Sequence, residues 1–317
     1  TTAAVPLPLL TSSCPGFVCY VEKVTGEALL PHLSRVKSPQ AIAGTLVKYW
    51  HAASAGVPPE RVCHVSVMPC FDKKLEAARD DFFNPDAGSS GSRDVDCVLS
   101  TGEIVQLLED KGLGSLAESA DAPADAAPPL SGLTESGASL ALASPGASGG
   151  AAEYVYRVAA RELFGVELPP GPLPWVQGKN ADLHELTLSH EGETVLRFVR
   201  AYGFRNIQNV ARRAKSGRCP YHLVEMMACP GGCANGGGQP RPPRHEAIGR
   251  TRAVEARFAS PEDTVPRPPQ SNPAAAAMYA AGGFLEGGAH GERAQRHLLT
   301  SFHAVDASKQ NPLTITW

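Results

Sequence analysis

Residues 225–240 read EMMACPGGCANGGGQP. Cys229 and Cys233 stand with three residues between them, two of them glycine, and a glycine triplet follows. Thiolates that hold an iron–sulfur cubane need backbone close by, because amide N–H groups donate to the sulfurs and stabilise the cluster's negative charge. Glycine allows that approach, and the positive φ it often requires. A zinc knuckle would show paired CxxC units, and no second unit lies nearby. A phosphate loop would want a glycine-flanked Lys-Ser/Thr, which this stretch lacks. Buried structural thiols in a turn are the bland alternative.

Two further stretches offer the same chemistry. In MPCFDKKLEAARDDF (68–82), Cys70 falls between an expected strand and an expected helix, with Lys73 one turn into that helix. A helix N-terminus and a nearby Lys both favour the thiolate, so Cys70 could equally be a reactive nucleophile. His64 on the preceding strand reads better as a satisfied sheet residue than as its catalytic partner. In TSSCPGFVC (11–19), Cys14 could be a nucleophile, a metal ligand or a structural thiol.

The elements around these cysteines can be placed from pattern. Residues 15–30 read as helical, and Ser38-Pro39 offers an N-cap with Pro at the first position of a helix running to about Trp50. RVCHVSVM (61–68) is Val-rich and reads as a buried strand delivering Cys70. A helix over 72–82, a strand over 95–100 and a helix from Thr101 to Lys111, ended by Gly112, follow. After a helix at 152–164, LHELTLSH and ETVLRFVRAYG suggest strands joined through Glu191-Gly192. A helix at 204–216 and the strand YHLVEMM (221–227) complete a second strand-to-cysteine delivery, this time to Cys229. Such alternation argues an α/β fold. A helix over 244–258 and another near 292–300 are also expected.

The domain reading is a first α/β lobe at 1–112, a disordered low-complexity insert at 113–151 and a second lobe at 152–258. A Pro/Ala/Gly-rich linker at 259–290 and a C-terminal helix and tail at 291–317 follow. The chain has 317 residues and a net charge of −3, which gives no mark of nucleic-acid binding; RRAK (212–215) fits a solvated helix face. No stretch is long and apolar enough for a membrane span, and the first residues lack the pattern of a signal peptide. Eight cysteines in a chain this long are too sparse for a disulfide scaffold, which favours metal or cluster ligation in a reducing compartment.

TSSCPGF, MPCFDKKLE and EMMACPGGCANGGGQ resemble, in order, the three signature segments of the iron-only hydrogenase catalytic domain. The flanks CPGFVCYVEKVTGEALLPHLSRVKSPQ, RDVDCVLSTGE, YGFRNIQNV and RCPYHLVEMMACPGGC are similar to the cytosolic iron–sulfur assembly factors of the iron-only-hydrogenase-like (nuclear prelamin A recognition factor-like) family. The resemblance implies a two-lobed hydrogenase-like core with a [4Fe–4S] cluster between the lobes, held by Cys14, Cys70, Cys229 and Cys233. Ser13, Lys73, Glu76 and Met227 match positions around it. Cys19, Cys63, Cys97 and Cys219 fall outside the ligand positions.

Hydrogenases carry a proton-relaying cysteine where Ser13 stands, so the resemblance implies a carrier rather than an enzyme: a hydroxyl is a far weaker acid than a thiol. Phe17 likewise replaces the tryptophan usual in hydrogenases. Family members carry four further cysteines near the N-terminus for a second [4Fe–4S] cluster. None precedes Cys14, and the chain reads as truncated. The implied partners are the cytosolic iron–sulfur targeting complex with its WD-repeat subunit, scaffold proteins and apo iron–sulfur proteins, in the cytoplasm with the nucleus as a second compartment. Ile315-Thr316-Trp317 is similar to a docking tripeptide for that complex. The competing readings are an active iron-only hydrogenase and a prelamin-tail-binding nuclear protein.

Overall fold

The computed structural model describes residues 5–114, 148–169, 171–241, 243, 245–258 and 273–305. Residues 115–147 of the expected insert, 259–272 of the expected linker and the tail 306–317 with Trp317 lie outside the described residues. The chain divides into two compact units built from interleaved stretches. The first comprises Thr1–Val36, Gly149–Gly232 and Thr300–Trp317; the second comprises Lys37–Ser148 and Cys233–Leu299.

The strands are β1 (Leu9–Thr11), β2 (Val65–Met68), β3 (Phe83–Asn84), β4 (Ser92–Arg93), β5 (Cys97–Ser100), β6 (Val176–Gln177), β7 (Leu183–His190), β8 (Glu193–Tyr202) and β9 (Leu223–Met227). The helices are α1 (Pro15–Tyr20), α2 (Pro39–Thr45), α3 (Ala52–Ser54), α4 (Asp72–Ala77), α5 (Thr101–Asp110), α6 (Ala151–Phe164), α7 (Phe204–Lys215), α8 (Ala247–Phe258), α9 (Pro273–Tyr279) and α10 (Glu292–Leu298).

In the first unit a five-stranded sheet runs in the order β1-β9-β8-β7-β6. β1 and β8 flank β9 in parallel, while β7 and β6 continue antiparallel. The β7–β8 hairpin turns at Glu191 and Gly192, with φ of 52° and 85°, the left-handed pair that a two-residue turn needs. All five residues of β9 are buried, as expected of a strand with parallel neighbours on both sides. Ala152, Tyr156 and Ala160 of α6 pack on Leu186, Leu188, Leu196, Phe198 and Leu223. The Tyr156 and Phe198 rings meet edge-on at 5.3 Å, worth about 0.5–1.5 kcal/mol beyond the buried area. α7 buries Ile207, Val210, Ala211 and Ala214.

One polar group sits inside this apolar sheet. Glu225 on β9 is 1% exposed, and its carboxylate accepts the amides of Gly150, Ala151 and Ala152 at the start of α6. Arg200 lies alongside, its Nε 3.5 Å from Glu225 and its Nη2 2.8 Å from Glu153. Burial pushes the Glu225 carboxyl up from its ordinary value; Arg200 and the three amides oppose that shift without cancelling it.

In the second unit β2 and β5 pair in parallel, Val65 opposite Cys97 through Met68 opposite Ser100. The Ser38 hydroxyl accepts the Ala41 amide at the head of α2 with Pro39 in the first turn, the cap expected from the sequence. Past Thr45 the helix widens into a π turn over Leu46–His51. α5 opens on a full capping box: Ser100 Oγ accepts from the Glu103 amide, and Glu103 accepts from the Ser100 amide.

The structure corrects several element lengths. The expected helix at 15–30 stops at Tyr20, passes through a π turn over Val21–Thr25 and breaks at Gly26, whose φ is 45°, before separate 3₁₀ turns at Gly26–Ala28 and Leu30–His32. The expected helix at 72–82 ends at Ala77, with a separate 3₁₀ turn at Asp80–Phe82. α9 forms inside the stretch read as a linker, and its Met278 packs with Leu285 and Ala294. β1, three residues long, has no pattern of its own in the sequence.

Candidate functional site

Cys14 and Cys229 belong to the first unit, Cys70 and Cys233 to the second. All eight cysteines stand outside disulfides.

In the first unit Cys14 is the N-cap residue between β1 and α1 and is buried. Ser12 holds the turn: its hydroxyl donates to the Met226 carbonyl at 2.6 Å and accepts the Cys14 amide at 3.0 Å. The Ala228 amide donates to Cys14 Sγ at 3.4 Å. That is the interaction a thiolate ligand needs to spread its charge. Ser13 Oγ lies 3.8 Å from Met227 Sδ, a long and weak contact, and Met227 itself is buried at the end of β9. Cys229 follows two residues later, and the Gly232 amide closes a turn onto its carbonyl at 3.0 Å. Gly231 and Gly232 take φ of 70° and 76°, conformations in which a side chain is strained. The Asp182 carboxylate accepts the Gly231 amide at 2.6 Å, pinning this turn to the start of β7.

In the second unit Cys70 follows Pro69 off the end of β2, and the Lys73 amide reaches back to its carbonyl at 3.4 Å. The glycine triplet lies against this backbone. Gly238 donates to the Pro69 carbonyl at 2.9 Å, and a Cβ on Gly236 would sit 2.2 Å from that same oxygen. A Cβ on Gly238 would meet the Cys70 nitrogen at 3.1 Å and the Ser100 Cβ at 2.9 Å. The triplet is thus held to glycine by its close approach to the backbone of the Cys70 segment, whereas the sequence reading has glycine bring backbone to the thiol sulfurs. The Cys233 amide donates to Ser148 Oγ at 3.1 Å, and the Gly236 amide to the Cys233 carbonyl at 2.9 Å.

Lys73 and Glu76 form a buried ion pair at 3.0 Å. The Ser38 hydroxyl also donates to Glu76, Gln40 Nε2 donates to the Lys73 carbonyl at 3.1 Å, and Ser66 donates to Gln40 at 3.1 Å. The head of α4 is thus clamped to α2 and β2 by a polar network in which Lys73 is already paired. His64 behaves as a structural residue: its Nδ1 lies 3.1 Å from the Asp94 carbonyl and its amide donates to Asp96 at 2.6 Å. Of the other cysteines, Cys63 and Cys97 are exposed, and burial pushes the Cys219 thiol up from its ordinary value.

Each unit by itself presents two thiols on strand ends or glycine turns, a donor type whose chemistry fits an iron–sulfur cluster, and the Cys14 sulfur receives a backbone amide. Among the described residues, three or more His, Cys, Asp or Glu side chains nowhere gather as a metal-holding group. Sequence reasoning missed Ser12, Ser148, Asp182 and Glu225. Ser12 and Glu225 lie inside the quoted motifs, but only the fold reveals what they hold.

This α/β arrangement is shared with the hydrogenases of the iron-only class. The apo form of a single-residue variant of [FeFe]-hydrogenase from Chlamydomonas reinhardtii matches with a TM-score of 0.76 at 27% identity, covering 94% of this chain and 77% of that one. A second variant of that enzyme matches with a TM-score of 0.75 at 28% identity, again over 94% and 77%. The family described as iron only hydrogenase large subunit, C-terminal domain, matches residues 1–237. Among curated proteins, cytosolic iron-sulfur assembly component 3 of Mus musculus is 44% identical over 98% of this chain and 62% of its own length. The cytosolic Fe-S cluster assembly factor narfl of Danio rerio is 41% identical over 98% of this chain and 72% of its own. The chain belongs to the iron-only hydrogenase large-subunit family, in the branch of the cytosolic iron–sulfur assembly proteins. It spans about 62% of the length of the first of these relatives.

Proposed function

We propose that the chain is the cluster-holding part of a cytosolic iron–sulfur assembly protein, without enzymatic activity of its own. In this reading Cys14, Cys70, Cys229 and Cys233 hold one [4Fe–4S] cluster, with a second expected in full-length relatives. The observation that carries it is the Ala228 amide directed at the Cys14 sulfur, 3.4 Å away. When bound, such a cluster supplies transferable iron and sulfide or one-electron chemistry. Gly231 and Gly232 shape the turn behind Cys229, while Gly236 and Gly238 seat Cys233's loop against the backbone of Cys70. Lys73, held by Glu76, fixes the head of the helix behind Cys70. Ser13 places a hydroxyl, a weak acid, where proton relay would need a thiol.

Partners in this reading are scaffold proteins, apo iron–sulfur proteins and the targeting complex with its WD-repeat subunit. The compartment is the cytosol, with the nucleus a second location. Support comes from the names of the relatives, which describe cytosolic iron–sulfur assembly.

The test is iron and acid-labile sulfide per chain after anaerobic reconstitution. About four of each is expected, with no hydrogen evolved from a reduced dye. Cluster retained in full by a Cys14→Ala, Cys233→Ala double variant, or turnover to hydrogen, would sink the proposal.

A further inference from the structure

α7 has an outer face made only of cations and neutral polar groups. At 100° per residue, Arg205, Gln208, Asn209, Arg212, Arg213, Lys215 and Ser216 fall on one arc, and the buried Asn206, Ile207, Val210, Ala211 and Ala214 fill the opposite one. Arg218 extends the stripe just past the helix, its amide returning to the Arg213 carbonyl. Arg205, Arg212, Arg213, Lys215 and Arg218 are all exposed. α7 contains no acidic residue.

A surface helix is ordinarily laced with both signs three or four residues apart, because opposite charges there stabilise it and like charges cost a comparable amount. Here Arg212 and Lys215 stand three apart with like charge. Among the described residues Arg205, Arg212, Arg213, Lys215 and Arg218 enter no ion pair within 4.0 Å. The helix dipole rewards the last-turn cations Arg212, Arg213 and Lys215, but it penalises Arg205 in the first turn, and Arg218 lies past the helix end. Helix stability therefore does not explain the whole stripe. At its head the half-exposed Phe204 ring, propped edge-on by Tyr20 at 4.9 Å, adds an aromatic anchor of the kind binding surfaces use.

We propose that this face of α7 docks an acidic segment of a partner protein. Acidic protein, rather than nucleic acid, is the occupant because the cations lie along a single short helix, the reach of a short acidic segment, and the chain's net charge of −3 gives no broad basic field of the kind a nucleic-acid backbone follows. The inference is independent of whether the four thiols hold a cluster.

The probe is a fluorescein-labelled dodecapeptide of alternating Glu and Gly, titrated against the full chain at low and at physiological salt. A variant carrying Arg205→Glu, Arg212→Glu and Lys215→Glu is compared with one carrying Lys23→Glu, Lys111→Glu and Lys179→Glu, which changes net charge equally at exposed sites elsewhere. Circular dichroism verifies that both fold. Binding that weakens with salt, falls at least about tenfold in the first variant and stays within about twofold of the wild type in the second supports the proposal. Equal losses in the two variants, or no binding by the wild type, overturn it. Tighter binding of a twelve-nucleotide single strand, or of phosphatidylserine vesicles, than of the peptide overturns the choice of occupant.

Discussion

Gly236→Ala changes no thiol, yet it is expected to strip the site. The added Cβ would lie 2.2 Å from the Pro69 carbonyl oxygen and 2.9 Å from its carbon, both backbone atoms with no rotamer through which to escape. Restoring ordinary contact requires the loop after Cys233 and the segment entering Cys70 to part by roughly 1 Å. That movement breaks the Gly238-to-Pro69 hydrogen bond, now 2.9 Å. Overpacking of this kind costs about 1–3 kcal/mol, and the lost bond about 1 more. Gly237→Ala is the matched control. Its Cβ would meet only the Phe71 ring at 3.9 Å, and its φ lies outside the left-handed region, so it should cost under about 0.5 kcal/mol. The assay is iron per chain after anaerobic reconstitution, paired with the urea midpoint of the apo protein. Gly236→Ala should hold less than half the wild-type iron and unfold at lower urea, while Gly237→Ala matches the wild type on both. Indistinguishable behaviour of the two variants would refute the argument that the triplet is glycine because Pro69 crowds it.

Three further outcomes are expected. Glu225→Ala leaves the amides of Gly150, Ala151 and Ala152 without their acceptor in a dry sheet, while Arg200 keeps Glu153, and should cost about 3–5 kcal/mol. Glu225→Gln keeps an acceptor and carries no charge for burial to penalise, the burial that pushes the carboxyl's pKa up, so it should cost far less; faster amide exchange at Ala151 and Ala152 in the alanine variant alone would bear this out. Lys73→Met strands the Glu76 carboxylate in a buried site, again about 3–5 kcal/mol, and adding Glu76→Gln should recover most of the loss in urea unfolding. Burial among Tyr49 and Phe284 lowers the pKa of His297 from 6.5 to about 4. Because the unfolded chain then binds the extra proton first, stability is complete above pH 6.5 and declines as pH falls towards 4. His297→Gln should flatten that part of the thermal-unfolding profile, and an unchanged slope would count against it.

What the sequence made legible was local. Ser38-Pro39 and Glu191-Gly192 carry their conformations in their own chemistry, and both turned out as read. The strands before Cys70 and Cys229 showed as Val- and Met-rich runs bounded by Pro; β9 is buried as read, but β2 buries only Ser66 and leaves Val65 and Val67 exposed. Less legible were features set by distant partners. β1 is three residues whose strand character comes wholly from pairing with β9, and the division into units follows contacts among stretches far apart in the chain. The helix from Pro15 looked continuous because its apolar spacing carries on, whereas the backbone obeys Gly26. At the site, residue type marked the thiols and the glycines, but not Ser12, Asp182 or Ser148, whose roles are single hydrogen bonds made across the fold.

The pairing of β1 with β9 also sets a clock for synthesis. Leu9 waits for Leu223, and the Ser12 hydroxyl waits for a carbonyl 214 residues downstream. At 5–20 residues per second the ribosome needs about 10–40 s to supply that partner. The β7–β8 hairpin, by contrast, can close within microseconds of emerging. The nascent chain therefore carries the apolar run before Cys14 exposed for tens of seconds, with its thiol open to oxidants and chaperones alike. Its last act in that unit's sheet is to slot its earliest-made strand beside its latest.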